Sequence, residues 1–523
     1  MSYIVVTDTT GIQSYIFNSN KLPEIIGASY LVDLVTSKWA PEFFGENELI
    51  YAGGGNCVAE FPNKEKAQKF IADLSKKAYE EAPGVGLIFG VCQDETKPLH
   101  ERVSNAFKDI RAKKNARAIS NPLLGLSVTR SCYATGLPAS AKDEKDPKRY
   151  INASIKAKKN ITETANKELK SKLLANEPNY NFPKDLDDLG RTEGDTSLIA
   201  IVHIDGNGIG KRIEEFGKNL SDNEGYKTKI KNFSKKLKEI NNTALQRTIE
   251  DLKKSIKQEN NVHIIKSISD NVAPIALKED KKEKELNLPF RPIIVGGDDI
   301  TFVCDGRLGI SLAIRFMEHL NKRSVENPLP DNQGPVTASA GVAIVKSHYP
   351  FARAYQLAEE LCSSAKQYRH QVKDTSSNFL DWHIAHTGIS KSLADIRKQD
   401  YLLKEGDDHE RKYALTQRPV QILQKENESS DKKRSWNIIY AAIDGFQKGY
   451  TNKRNKVKEL REVLRQGENH VKSFVARHDK LPDLVINQVE DYRETGFIEK
   501  QCMYYDAIEL LDLWIPLETQ LED

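Results

Sequence analysis

Apolar residues gather along this chain in short runs punctuated by glycine and aspartate, a pattern of strands closed by tight turns. Ser197-Leu-Ile-Ala-Ile-Val-His-Ile-Asp205 is almost continuously apolar and ends in a carboxylate. It predicts a strand buried on both faces. Pro292 to Val295 and Ile300 to Cys304 are two further apolar runs, separated by Gly296-Gly297-Asp298-Asp299. They predict a β-hairpin with the two acids at its tip. Residues 95–195 lose the strand pattern and become charged and helix-compatible. Ser435-Trp-Asn-Ile-Ile-Tyr-Ala-Ala-Ile-Asp444 and Tyr504–Leu513 carry apolar residues at helical spacing and predict a small helical bundle near the C-terminal end.

The start of the chain repeats part of this plan. Tyr3-Ile-Val-Val-Thr-Asp8-Thr-Thr-Gly11 parallels Ala200 to Gly208: an apolar strand, an aspartate, then a turn of small residues. Tyr51 to Phe61 parallels Ile294 to Cys304, with Gly53-Gly54-Gly55-Asn56 where the later copy has Gly296-Gly297-Asp298-Asp299. The predicted architecture is therefore an internal duplication, one copy having lost the two hairpin acids.

The acids bring in chemistry. Adjacent carboxylates at an apolar hairpin repel each other, and a divalent metal neutralises them. Taken alone, the stretch also reads as a solvated turn, because Asp and Gly dominate turns. Asp205, at the carboxyl end of a central strand, leads straight into Gly206-Asn207-Gly208-Ile209-Gly210, whose amides can cradle phosphate. That glycine spacing matches neither the dinucleotide nor the P-loop pattern. Together, Asp205, Asp298 and Asp299 form the carboxylate set that two-metal phosphoryl transfer requires. In the first copy, Gly55 and Asn56 supply no charge to retain Mg²⁺.

The segments Ala200–Arg212, Val295–Cys304 and Val336–Phe351 resemble the palm domain shared by diguanylate cyclases, class III nucleotidyl cyclases and polymerases. The nearest resemblance is to the large polymerase/cyclase subunit of type III CRISPR effector complexes, over roughly residues 1–110 and 196–390. It implies an α/β (α+β) fold of two ferredoxin-like palms plus helical domains. The expected division is a degenerate palm at 1–110, a helical linker at 111–195, an active palm with a long insertion at 196–395, and a helical domain at 396–523.

The implied activity is condensation of ATP into cyclic oligoadenylate messengers, in CRISPR-type defence. By the resemblance, Asp205, Asp298, Asp299 and the Gly206 carbonyl hold two Mg²⁺ (or Mn²⁺) ions. Gly206, Asn207, Gly208, Ile209, Gly296, Gly297, Ser339 and Lys366 contact nucleotide, as do Gly54, Gly55 and Asn56 in the first palm. Lys366 lies on a helix Phe351–His370 that resembles the family's final palm helix. The small residues Ser339 and Ala340 offer little to pair with guanine, so a modest ATP preference is expected. CRISPR complex subunits or an activator RNA are the implied partners, and homo-oligomerisation stays open. A silent nucleotide-binding scaffold and a templated polymerase are the alternatives.

Composition narrows these readings. The chain has 523 residues, and 78 Lys+Arg against 75 Asp+Glu leave a net charge of +3, which gives no global nucleic-acid signature and disfavours the polymerase. Its six cysteines form no C-x-x-C pair and read as buried thiols. Ser131 to Ala139 resembles the family's zinc knuckle, but Thr135 stands in the second cysteine's place, so no zinc is expected. No signal peptide or membrane-spanning apolar stretch is visible, so a cytoplasmic protein is expected. The run Glu279–Glu285 is expected to be a solvated mobile loop. His203, one strand period from Asp205, is either a group supporting the metals or a hydrogen-bonded core histidine. His478-Asp479 has no accompanying histidine cluster, and His383 and His386 show no ligand spacing, so no DNase activity is expected.

Overall fold

The computed structural model describes residues 2–520 apart from 46–47, 54, 117–125, 127, 176, 191–196, 221, 268–271, 281, 386–390, 405–410, 423–432, 451–452, 485, 487–491 and 519. Gly54 and His386 therefore lie outside the described residues.

Two sheets carry the duplication. The first has the order Leu49–Gly53, Asn56–Phe61, Tyr3–Thr10, Gly86–Cys92. The second repeats it as Phe290–Val295, Asp299–Asp305, Leu198–Gly206, Ala338–Lys346, then adds Asn378–Ile384 and Val420–Ile422. The register matches as well. Asp8 sits opposite Asn56 in the first sheet, and Asp205 sits opposite Asp299 in the second.

The near-continuous apolar run 198–206 has the burial its composition predicts. Ala200, Val202 and Ile204 face one core with helix Gly309–Glu326, while Ile199 and Ile201 face another that contains Phe17, Leu22 and Ile25 of the first palm. The first palm is thus packed against the odd-numbered face of the second sheet, the face on which His203 and Asp205 stand.

In each palm a glycine lets the final helix lie against the sheet. A Cβ on Gly90 would come 2.0 Å from the Ala106 carbonyl oxygen, and one on Gly341 would come 2.0 Å from that of Ala358. Neither backbone can yield without lifting its helix. Gly341→Ala is expected to cost about 1–3 kcal/mol by overpacking, read as a lower midpoint in denaturant unfolding.

The insertion after Lys211 is mostly one long helix, Asn223–Lys254, capped by the Asp222 side chain accepting from the Gly225 amide. Its buried residues recur at helical spacing: Tyr226, Ile230, Phe233, Leu237, Ile240 and Leu245. Tyr226 and Ile230 join the first palm's core with Ile50 and Val58, and Phe233 and Leu237 join the second's. The helix thereby ties both palms together. The charge run at 279–285 is better anchored than its composition suggests. Glu285 pairs with Lys170, Glu283 lies 3.7 Å from Lys184, and Leu286–Asn287 pairs in parallel with Tyr180–Asn181.

Beyond residue 396 the helices Trp436–Gly449, Arg454–Leu464 and Glu468–Arg477 form the expected bundle, with Tyr505–Leu510 packed against the first two. The structure adds a small sheet of strands two to four residues long, Leu402–Lys404, Arg411–Ala414, Gln501–Cys502 and Phe497–Ile498. Strands that short leave no periodicity to read in a sequence. Arg418, buried, joins this region to the palm: it makes ion pairs of 2.9 Å to both Asp506 and Glu509 and donates to the Trp382 carbonyl of the palm sheet at 2.9 Å. All six cysteines are buried and free of disulfides. In the Ser131–Ala139 turn the Cys132 amide donates to the Leu137 carbonyl at 2.7 Å. Thr135 Oγ1 accepts there from Asn152 Nδ2 at 3.0 Å. No helix among the described residues is long and apolar enough to cross a membrane.

Candidate functional site

Strand pairing brings the three acids together. Asp205 ends the central strand with Asp299 opposite it on one side and Ser339 on the other. Asp298 sits at the hairpin tip, and its carbonyl accepts from the Gly206 amide at 2.9 Å. A Cβ on Gly206 would meet Ile209 Cγ1 at 2.9 Å and Asp298 Cβ at 3.1 Å, so only glycine lets the turn and the tip approach this closely. Gly208 takes the left-handed conformation (φ 70°) and starts helix Ile209–Lys218, as Gly11 (φ 64°) starts Ile12–Ile16 in the first palm.

The expected nucleotide contacts divide into two groups. Gly208 and Gly297 have open space around them. Gly296 closes the hairpin through its amide, which donates to the Asp299 carbonyl at 2.8 Å. Ile209 is buried in the core. Asn207 and Ser339 are also buried and hold each other: Ser339 Oγ donates to Asn207 Oδ1 at 2.9 Å, and Asn207 Nδ2 donates to Thr337 Oγ1 at 3.1 Å. They form a bracket that fixes the turn from beneath. Ala340 is fully buried too, so neither residue of the 339–340 pair faces a solvent-filled pocket.

Of the supporting residues, Asn241 escapes sequence reasoning, whereas His203 and Lys366 are visible to it. Asn241, buried on the insertion helix, donates to the Gly297 carbonyl and fixes the hairpin tip. His203 Nδ1 lies 3.1 Å from Thr301 Oγ1 and 3.3 Å from Asp299 Oδ1, which places this histidine in the polar layer behind the acids. Lys366 is bonded to Asp205 Oδ2. The first palm repeats this last contact. Lys114 pairs with Asp8 at 2.5 Å, and each lysine stands eight residues beyond the alanine that its palm's glycine touches (106 to 114, 358 to 366). The sequence did carry that signal, but only an alignment of the two final helices exposes it.

The electrostatics are those of a crowded acid cluster. Burial, followed by the charge of Asp205, pushes the Asp298 carboxyl up to about 6. Burial, then Asp205 and Asp298, pushes Asp299 up to about 8. Burial holds the His203 imidazole below its ordinary value. Among the described residues, no three His, Cys, Asp or Glu side chains converge into a ready-made metal cage. The donor set nevertheless fits a divalent cation. Asp299 Oδ1 is buried and makes no hydrogen bond, the three acids are hard oxygen donors, and the ammonium of Lys366 already occupies a cation's place beside Asp205. In the first palm Gly55 (φ 78°) and Asn56 stand where these acids would be, leaving Asp8 with Lys114. Asn56→Ala is expected to leave metal binding in the second palm unchanged and to reduce turnover at most a few-fold, checked by Mn²⁺ titration beside a turnover assay.

Tandem palms of this register, with acids at one palm's strand ends and none at the other's hairpin, define a palm-domain protein with one equipped site. Residues 198–375 match the family model of the Cas10/Cmr2 second palm domain. The chain is thus Cas10-like in its second palm, and solved structures extend the likeness in fold to both palms and beyond. The Csm1–Csm4 cassette in complex with AMPPNP superposes with a TM-score of 0.51 at 13% identity, covering 98% of this chain and 69% of that one. The same cassette in complex with cA4 gives 0.50 at 13%, with the same coverage. Csm1 in T.onnurineus gives 0.50 at 14%, covering 98% and 70%. No curated protein matches the chain in sequence.

Proposed function

We propose that this chain is a nucleotidyltransferase that condenses ATP into cyclic oligoadenylate by metal-dependent phosphoryl transfer, as a subunit of a type III CRISPR complex. The observation that carries the reading is the acid cluster itself. Asp205, Asp298 and Asp299 crowd the adjacent ends of two paired strands, and the pair at the hairpin is held at raised pKa values that a bound cation would relieve. The solved Csm1–Csm4 cassettes bound to AMPPNP and to cA4 give the reading its substrate and product class.

Asp205, Asp298 and Asp299 would hold Mg²⁺ or Mn²⁺, with the Gly206 carbonyl as a further oxygen donor. Such ions lower the pKa of an attacking ribose hydroxyl and neutralise the leaving pyrophosphate when bound. The chain's own share is positioning. In the Gly206–Ile209 turn the Gly206 and Asn207 amides are taken by the Asp298 and Thr337 carbonyls at 2.9 and 2.8 Å. The amides that would meet phosphate are therefore those of Gly208 and Ile209, with the turn held from below by the Asn207–Ser339 bond. Lys366, bonded to Asp205, would meet the triphosphate as a point charge once a cation took its place beside that carboxylate. The first palm, with Asp8 neutralised by Lys114, takes a nucleotide without contributing metal ligands. An ATP preference is retained as part of the proposal, but it does not rest on Ser339 and Ala340.

The test is incubation of the full chain, alone and with its complex partners and activator RNA, with labelled ATP and Mg²⁺, followed by resolution of the products. Cyclic adenylates support the synthase, and linear template-dependent products would replace it with a polymerase. Nucleotide binding without turnover under every condition would leave a scaffold. ATP and GTP supplied together report base choice through product composition.

A further inference from the structure

The acids do not end the polar layer. Behind Asp299 a buried chain of side chains runs out of the second palm and into the first. His203 sits against both Asp299 and Thr301, its Nδ1 lying 3.3 Å from Asp299 Oδ1 and 3.1 Å from Thr301 Oγ1. The His203 ring meets the Tyr355 ring edge-on, with centroids 5.5 Å apart. Tyr355 is in turn covered by the first palm. Phe17 stacks on it at 4.2 Å, and Gln13 Nε2 lies 3.4 Å from its hydroxyl while donating to Glu359 Oε1 at 2.6 Å. His203, Thr301 and Tyr355 are all at least nine-tenths buried. Gln13 lies two residues after the left-handed Gly11, in the helix Ile12–Ile16 that corresponds to the start of Ile209–Lys218 in the second palm.

We propose that His203, Thr301 and Tyr355 are positioning residues that aim the Asp299 carboxylate, and that Gln13 of the degenerate palm locks them in place through Tyr355 and Glu359. The first palm is then a working part of the second palm's site, although its own hairpin carries no acids. The physical basis is general. A metal-ligating carboxylate is held by the groups behind it, and removing those groups loosens the metal although every ligand remains. A fully buried hydroxyl and imidazole in contact have few other orientations, since each alternative strands a polar atom.

The inference rests on the metal-dependent reading above, and its test separates the two. Mn²⁺ binding to the full chain is followed by electron paramagnetic resonance for the wild type, Tyr355→Phe and Gln13→Ala. Tyr355→Phe keeps the ring that stacks on Phe17 and deletes only the hydroxyl, so the fold is retained. Both variants are expected to bind Mn²⁺ at least about 10-fold more weakly, and to lose kcat while the KM for ATP stays unchanged. The exchange Gln13→Glu with Glu359→Gln restores the bond with its donor reversed, and is expected to recover affinity.

Asn20→Ala removes a different contact between the palms, the Phe351 amide donating to Asn20 Oδ1 at 2.9 Å, and is expected to change nothing. Wild-type affinity in Tyr355→Phe and Gln13→Ala overturns the proposal, as does an equal loss in Asn20→Ala, which would mean general loosening. A wild type that binds no Mn²⁺ overturns the metal-dependent reading itself, and the proposal with it.

Discussion

Replacing Asp298 and Asp299 together by alanine is expected to lower ATP condensation by at least about 1000-fold, because charge stabilisation of several kcal/mol leaves the transition state. The fold is expected to survive, since both residues sit at a partly exposed hairpin tip rather than in a core. The informative companion is the isosteric pair Asp298→Asn with Asp299→Asn. In metal-free wild type the folded-state values, about 6 and about 8, lie above the ordinary carboxyl value. The stability these groups allow is therefore fully present below about pH 4, and it is lost as pH rises through about 6 and then about 8. In EDTA at pH 8 the Asn pair is expected to be the more stable protein, and near pH 4 the difference is expected to vanish. The Asp299 side chain is 40% exposed, so screening reduces the gain at pH 8 to roughly 1–2 kcal/mol. Mg²⁺ is expected to raise the melting temperature of the wild type at pH 8 and not that of the Asn pair. Undiminished turnover in a folded double alanine variant would remove these residues from the chemistry, and identical pH profiles would remove the acid-cluster argument.

The second expected result separates metal binding from catalysis. Lys366→Met is expected to bind Mn²⁺ more tightly than the wild type, because no ammonium competes for Asp205. It is also expected to turn over roughly 100-fold more slowly, the loss typical of a charged donor aimed at a transferring group. Calorimetric Mn²⁺ titration and single-turnover measurements on one preparation give both numbers. Weaker metal binding with normal turnover would make Lys366 an ion-pair partner only, and would question the same role for Lys114 opposite Asp8.

The value of the first palm changes in this light. Its hairpin carries Gly55 and Asn56, its strand-end Asp8 is bonded to Lys114, and its register copies the second palm's. Gln13, Phe17 and Asn20, which follow its glycine turn, all touch helix Phe351–Gln371. On the proposed reading, a hairpin without acids does not free this palm from the site.

Sequence alone determined the parts whose signals are local. The apolar run into Asp205, the hairpin carrying Asp298 and Asp299, and the paired plan of Tyr3–Gly11 and Tyr51–Phe61 each lie within about a dozen residues, where strand period and turn chemistry decide the backbone. The tertiary structure decided what those parts do to one another. Gln13 meets Glu359 across 346 residues of chain, His203 meets Thr301 across 98, and Asn241 reaches the Gly297 carbonyl from an insertion with no motif of its own. Asn207 and Ser339 show the same limit in reverse. Their types suit a nucleotide pocket, yet sheet register turns them inward to hold each other. A side chain's type and spacing fix its chemistry and its local backbone, but which partner it spends that chemistry on is set by packing between distant elements, and the sequence pattern carries no local trace of that packing.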